Sequence, residues 1–204
     1  EMLMMMPPYH GALMKGTAQQ TFEQFEKVGE AGVTIMVQDA PLSGVDLPVP
    51  LLIKMAKEIE TVKCFKIECA QAASKLRKLV VEGGDAIEGP FDGEEGITLF
   101  ADLEAGATGN MSSAMIPDLI KPVVLDYLAG EFDKSEDKYN NILPVINYEN
   151  RQCGFRATKV IMREGGVINS DFCRHPIPPL EEQTKAGLIK LIKKYDPIAL
   201  SWGK

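Results

Sequence analysis

Val62-Lys63-Cys64-Phe65-Lys66-Ile67-Glu68 is a β-prone run set between two segments of helical period. Alternate side chains of a strand share a face, so Cys64, Lys66 and Glu68 point one way while Phe65 and Ile67 point the other. A face of two hydrophobes suits a cover of helices, and leaves the lysine and glutamate for the opposite side. Working outward, four further short runs have the same character: Met2 to Met6, Val33 to Gln38, Ala86 to Gly89 and Ala107 to Met111. Their centres repeat at roughly 22 to 32 residues, the spacing of βα units that feed one parallel sheet.

The segments between the runs read as crossover helices. Thr17 and Gln20 make a capping-box pattern, and Phe22, Phe25 and Val28 then lay an apolar stripe that ends near Gly29 to Gly32. Leu47 to Ile59 opens on Pro48 and Pro50, which suit a first helical turn, and repeats Leu52, Met55, Ala56 and Ile59. Ala70 to Val81 (Ala73, Leu76, Leu79, Val80) and Glu94 to Ala105 (Ile97, Phe100, Ala101, Glu104) complete the set before Gly83-Gly84 and Gly106. Beyond the fifth run the pattern is helical only: Ile116 to Leu128, Lys134 to Tyr148, Arg156 to Arg163 and Leu180 to Tyr195.

Two architectures fit this order, a doubly wound open sheet or a (β/α)8 barrel. No GxGxxG follows a strand and no GxxxxGK[ST] occurs, which removes the usual mark of nucleotide-binding open sheets. A full barrel takes eight strands and about 250 residues. The sequence therefore predicts the C-terminal portion of a TIM barrel, strands 4 to 8, in an α/β chain that continues a longer protein. Residues 1–130 are expected to hold the barrel units and 131–204 a C-terminal helical extension.

The 204 residues carry 22 Lys and Arg against 29 Asp and Glu, a net charge of −7 with no basic tract. That balance argues against nucleic acid or anionic membrane as partner. Charge and proline break every apolar stretch well short of the roughly 20 residues that span a bilayer, and Met2 to Pro8 is too short for a signal-peptide core. Cys64, Cys69, Cys153 and Cys173 form no CxxC pair, which suits a reducing cytoplasm.

Inside a barrel, low-polarity walls favour the neutral amine of a lysine, which attacks carbonyls. Lys66 is the candidate nucleophile. Glu68 stands one pleat nearer the C-terminal rim, where barrel active sites lie, and a carboxyl there can move protons on an imine. By spacing alone a structural Lys/Glu pair at a strand end is the commoner arrangement, so both readings stay open. Tyr9 and His10 end the first strand and are candidates for substrate contact or proton relay, against a turn aromatic and a solvated imidazole. Gln38 in the second strand's closing segment, Gly89 in Gly89-Pro90-Phe91-Asp92-Gly93 and Ser112 in Asn110-Met111-Ser112-Ser113 are candidates for substrate binding at the rim. No metal or other cofactor is expected: His10 and His175, the two histidines, lie far apart and outside any HxxxH or HxH pattern. Met4 to Met6 reads as core, not as a ligand box.

With these residues in view, the chain resembles the dihydrodipicolinate synthase and N-acetylneuraminate lyase superfamily of class I, Schiff-base aldolases. The resemblance runs over nearly the whole chain. Met4 to Gly11 is similar to the fourth strand, Phe65-Lys66 to the sixth with its imine-forming lysine, and Arg174-His175-Pro176 with Leu180 to the segment before the last helix. It implies that a substrate-carboxylate loop lies upstream of Glu1, that the full-length protein is a homotetramer, and that its partner is a small 2-keto acid. The family's fifth strand commonly carries a relay tyrosine followed by an arginine, and Met36 to Gly44 has neither, which disfavours dihydrodipicolinate synthase itself. Glu68 is then the natural proton carrier. With Val37 to Gly44, Phe65 to Glu68, Ile87 to Glu95 and Asn150 to Ala157, the chain is most similar to the subgroup of L-2-keto-3-deoxyarabonate dehydratases. The implied reaction is dehydration of that 2-keto-3-deoxy sugar acid to 2-oxoglutarate semialdehyde through a lysine Schiff base. The alternatives are a pyruvate-releasing 2-keto-acid aldolase, a dihydrodipicolinate synthase-like lyase, and an inert barrel fragment. The 204-residue chain by itself is expected to be poorly active, because carboxylate anchoring and barrel closure belong to the upstream strands.

Overall fold

The computed structural model describes residues 1–8, 15–40 and 44–204. Tyr9 and His10 fall outside the described residues, as do 41–43 of the segment that closes the second strand. By compactness the chain divides into two units, Glu1–Glu94 with Thr98–Met111, and Glu95–Ile97 with Ser112–Lys204.

The first unit is a five-stranded parallel sheet in sequential order, β1 (Met2–Met5), β2 (Thr34–Asp39), β3 (Val62–Ile67), β4 (Glu88–Asp92) and β5 (Gly109–Asn110). Helices α1 (Ala18–Gly29), α2 (Val49–Glu58), α3 (Ala72–Gly83) and α4 (Leu99–Glu104) connect them. The predicted capping box starts α1: the Gln20 N–H donates to Thr17 Oγ1 at 3.2 Å, and the Thr17 N–H donates to Gln20 Oε1 at 2.9 Å. Pro48 caps α2 and Pro50 sits in its first turn, where a missing N–H costs nothing.

One hydrophobic core joins Ile35, Val37, Phe65 and Ile67 of the sheet to Phe25 of α1, Leu52 and Met55 of α2, and Leu76 and Leu79 of α3, all fully buried. Phe65 and Ile67 thus take the helix-covered face, as their alternation predicts. Met36, Cys64 and Lys66 are buried outside that core, on the other face. At the sheet edge, Met2, Leu3 and Met4 of β1 are 48%, 42% and 45% exposed; of the methionine-rich run that reads as core, Met5 packs on it.

Two elements depart from the sequence pattern. The expected strand Ala86 to Gly89 begins two residues later and continues to Asp92, because Gly84 leaves α3 at φ +54° and a 3-10 turn occupies Gly84–Ala86. Pro90 masked the strand in the sequence; its missing N–H coincides with a register shift between Cys64 and Phe65 of β3. The expected helix Glu94 to Ala105 shrinks to α4, since Glu95 and Gly96 take φ values of +58° and +81°, which a right-handed helix excludes. Its buried side is consequently Leu99, Asp102 and Leu103, not the stripe of Ile97, Phe100, Ala101 and Glu104.

The second unit is helical. Helices α5 (Pro117–Leu128) and α6 (Phe132–Tyr148) form a hairpin turned by Gly130 at φ +81°, followed by a π-turn at Glu149–Cys153, α7 (Arg156–Glu164) and α8 (Glu182–Ile192). Ser135 Oγ donates to the Val123 carbonyl at 2.8 Å and ties the hairpin together. This pairing keeps α5 with α6 in the second unit. Among the described residues, no helix is long and apolar enough to cross a membrane.

Candidate active site

The ends of β2 and β3 bring three polar side chains of the first unit together. Parallel pairing sets Gln38 opposite Lys66, and Lys66 opposite Phe91. Lys66 is 8% exposed, and its Nζ lies 2.9 Å from Glu68 Oε2. The Gln38 amide donates to the same Glu68 oxygen at 2.8 Å. An ammonium and an amide therefore converge on one carboxylate oxygen. The Glu68 N–H is itself fixed by the Asp39 carbonyl at 2.8 Å, so the carboxylate springs from an anchored backbone.

Gly93, the residue after β4, packs closely against this pair. Its N–H donates to the Ile67 carbonyl at 2.9 Å, and a Cβ on it would lie 2.9 Å from the Glu68 Cβ, the Ile67 carbonyl oxygen and the Lys66 Cγ. One of these is backbone and cannot yield cheaply. We expect Gly93→Ala to cost about 1–3 kcal/mol by overpacking against Lys66, Ile67 and Glu68; thermal melts of the variant measure the cost.

Gly89 lies at the start of β4, away from its closing end, with φ +43°; a Cβ there would meet the Phe91 ring at 3.2 Å. Its missing side chain makes room for the Phe91 ring, and Gly93 is the glycine that follows the closing end of β4. Ser112 is half-buried at the head of the second unit. Tyr9 and His10 lie outside the described residues, and among the described residues no group of three or more His, Cys, Asp or Glu is arranged to hold a metal ion.

Two buried acidic groups on the helix-facing side are not evident from the sequence. At the end of β2, Asp39 meets Lys75 of α3 at 2.5 Å. Burial pushes the Asp39 carboxyl above its ordinary range against the pull of Lys75. The neighbouring Cys69 thiol is pushed up to about 11, by burial first and the Asp39 charge second, which keeps it protonated and unreactive. At the end of β4, Asp92 is fully buried and accepts from the Glu94 N–H at 2.9 Å and from the Asn110 amide. Asp102 of α4, also fully buried, accepts from the Thr98 hydroxyl at 2.8 Å. Burial raises the Asp102 carboxyl to about 7; the Thr98 hydroxyl opposes this, and the nearby Asp92 and Glu94 add to it.

The comparison that decides the family covers both units: residues 1–195 match the model of the dihydrodipicolinate synthetase family. The chain belongs to that family. Among curated relatives of the dihydrodipicolinate synthetase family, it is 51% identical to the L-2-keto-3-deoxyarabonate dehydratase of Azospirillum brasilense over 98% of this chain and 65% of that protein. It is 23% identical to the 4-hydroxy-tetrahydrodipicolinate synthase of Helicobacter pylori (strain P12), over 94% of this chain and 63% of that one. The dihydrodipicolinate synthase of Aquifex aeolicus has the same fold, with a TM-score of 0.84 at 19% identity, over 95% of this chain and 65% of that structure. The chain thus spans a little under two thirds of the length of these relatives, and its parallel sheet with crossover helices is of the family's TIM-barrel type.

Proposed function

We propose that the protein is a Schiff-base hydro-lyase that dehydrates L-2-keto-3-deoxyarabonate to 2-oxoglutarate semialdehyde, with the five strands standing for strands 4 to 8 of its barrel and residues 131–204 as the helical extension. The observation that carries the reading is the Lys66 Nζ, buried on the face away from the helices and 2.9 Å from the Glu68 carboxylate. The 51% identity to an L-2-keto-3-deoxyarabonate dehydratase supports the choice of substrate.

Neutral Lys66 attacks the C2 ketone, and loss of water leaves an iminium whose positive charge acidifies the C3 hydrogens. The Glu68 carboxylate takes a C3 proton to give the enamine. The enamine electrons then expel the C4 hydroxyl, which leaves as water with the proton that Glu68 returns. The conjugated iminium tautomerises through a proton from C5, and hydrolysis releases the semialdehyde and regenerates the amine. The absence of tyrosine and arginine from Met36 to Gly44 supports this division of labour and disfavours dihydrodipicolinate synthase chemistry. We place the enzyme in the cytoplasm as a homotetramer; the free thiols Cys64, Cys69, Cys153 and Cys173 support a reducing compartment, and the family resemblance the assembly.

The test is product analysis joined to trapping. Incubation with a 2-keto-3-deoxy sugar acid should give the semialdehyde, and borohydride reduction with pyruvate should leave a stable adduct on the peptide containing Lys66. Pyruvate plus an aldehyde as products would make the protein an aldolase, and an unmodified Lys66 peptide would make it inert.

A further inference from the structure

Glu68 Oε2 receives two donors of different chemistry, the Lys66 Nζ at 2.9 Å and the Gln38 Nε2 at 2.8 Å, and no described residue bonds Oε1. We propose that Gln38 is a positioning residue which holds the Glu68 carboxylate in place while Lys66 is covalently occupied, leaving Oε1 to take and return the C3 proton. The inference rests on the reading above and adds a role to a residue that the sequence offers as a substrate contact.

The argument follows the donors. A lysine ammonium has three N–H bonds and can give one to Glu68 whatever its rotamer. Once its nitrogen is double-bonded to C2, at most one N–H remains and its direction is fixed by the plane of the iminium. The bond that orients Glu68 in the resting site is thus lost or redirected at the step that needs it. The Gln38 amide keeps both hydrogens throughout, does not titrate, and cannot take the proton from Glu68 in turn. Its reach is set by the ladder: Gln38 and Lys66 are direct partners across β2 and β3, so the amide and the amine stand side by side above the same carboxylate. A carboxylate held through one oxygen, with no described donor at the other, is poised for a single proton path.

Two variants of the protein bearing this chain test the idea. Gln38→Met keeps length and removes the donor; Gln38→Glu keeps shape and sets a like charge beside Glu68. For Gln38→Met we expect borohydride trapping of pyruvate on Lys66 within about twofold of the parent, KM within about threefold, and kcat down about 10- to 100-fold. For Gln38→Glu we expect the acid limb of the kcat profile to move up by about one pH unit or more, because the two carboxyls titrate as a pair. Parental kcat and pH profile in both variants would overturn the proposal. So would a raised KM at unchanged kcat, which marks a substrate contact. Absence of any adduct in the parent protein is the separate outcome that removes the Schiff-base reading itself.

Discussion

On the proposed Schiff-base reading, replacing Lys66 with arginine in the protein bearing this chain should abolish the borohydride adduct and lower dehydratase turnover by about a thousandfold or more, while the melting temperature moves by only a few degrees. The substitution separates the two meanings of a buried Lys/Glu pair. Arginine stays positive at every accessible pH and offers five N–H donors, so it can keep the contact with Glu68 Oε2 that lysine makes at 2.9 Å. It cannot become a neutral amine and cannot form an imine with a ketone. If the pair serves only to close the strand end, arginine preserves both stability and rate. If the nitrogen is a nucleophile, stability survives and chemistry does not; losses of this size are typical when a covalent nucleophile is removed. Lys66→Met completes the comparison, since it leaves the Glu68 carboxylate without its cation in a largely buried position and is expected to be both inactive and less stable than the arginine variant. Turnover by Lys66→Arg above about a tenth of the parental rate would remove the covalent mechanism.

The alternation in β3 is legible without any structure because its two faces meet different environments: Phe65 and Ile67 enter the helix-covered core, and Lys66 and Glu68 do not. The capping box at Thr17 and the proline start of α2 are equally local, and they form where the chain announces them. What escapes a linear reading depends on partners distant in sequence. Gln38 reaches Glu68 across 30 positions because ladder register sets the two strands against each other, and no local pattern encodes register. Gly93 matters for what its absent side chain leaves free, the space beside Lys66 and Glu68. In the fourth unit, one misread turn moves everything after it: positive φ at Glu95 and Gly96 delays α4 to Leu99, which turns Asp102 into the core and hides a carboxyl that a helix begun at Glu94 would have left on another face.

That carboxyl supplies a second large effect. Between about pH 4 and pH 7 the chain should lose stability as pH rises, and Asp102→Asn should remove much of the loss. Asp102 has a folded-state value near 7 against 3.8 unfolded, raised first by burial. In the window between those values the folded chain holds more protons than the unfolded one, so unfolding free energy falls with increasing pH and levels off above about 7. Three pH units correspond to about 4 kcal/mol as an upper bound, and because Asp92 and Asp102 lie together the proton belongs to the pair. Asparagine keeps an oxygen for the Thr98 hydroxyl and offers its amide hydrogens toward Asp92, without a charge that must be buried. Asp39 and Glu149 are raised by burial too and tilt the curve in the same direction, so the informative quantity is the difference between parent and variant. Urea melts at pH 5, 6, 7 and 8 should give curves that diverge with pH, with Asp102→Asn more stable by about 1–3 kcal/mol at pH 8 and equal or slightly less stable at pH 5. Parallel curves, or a gap that narrows as pH rises, would mean that the two carboxyls do not share a proton between β4 and α4, and that α4 tolerates a charged Asp102 in its buried face.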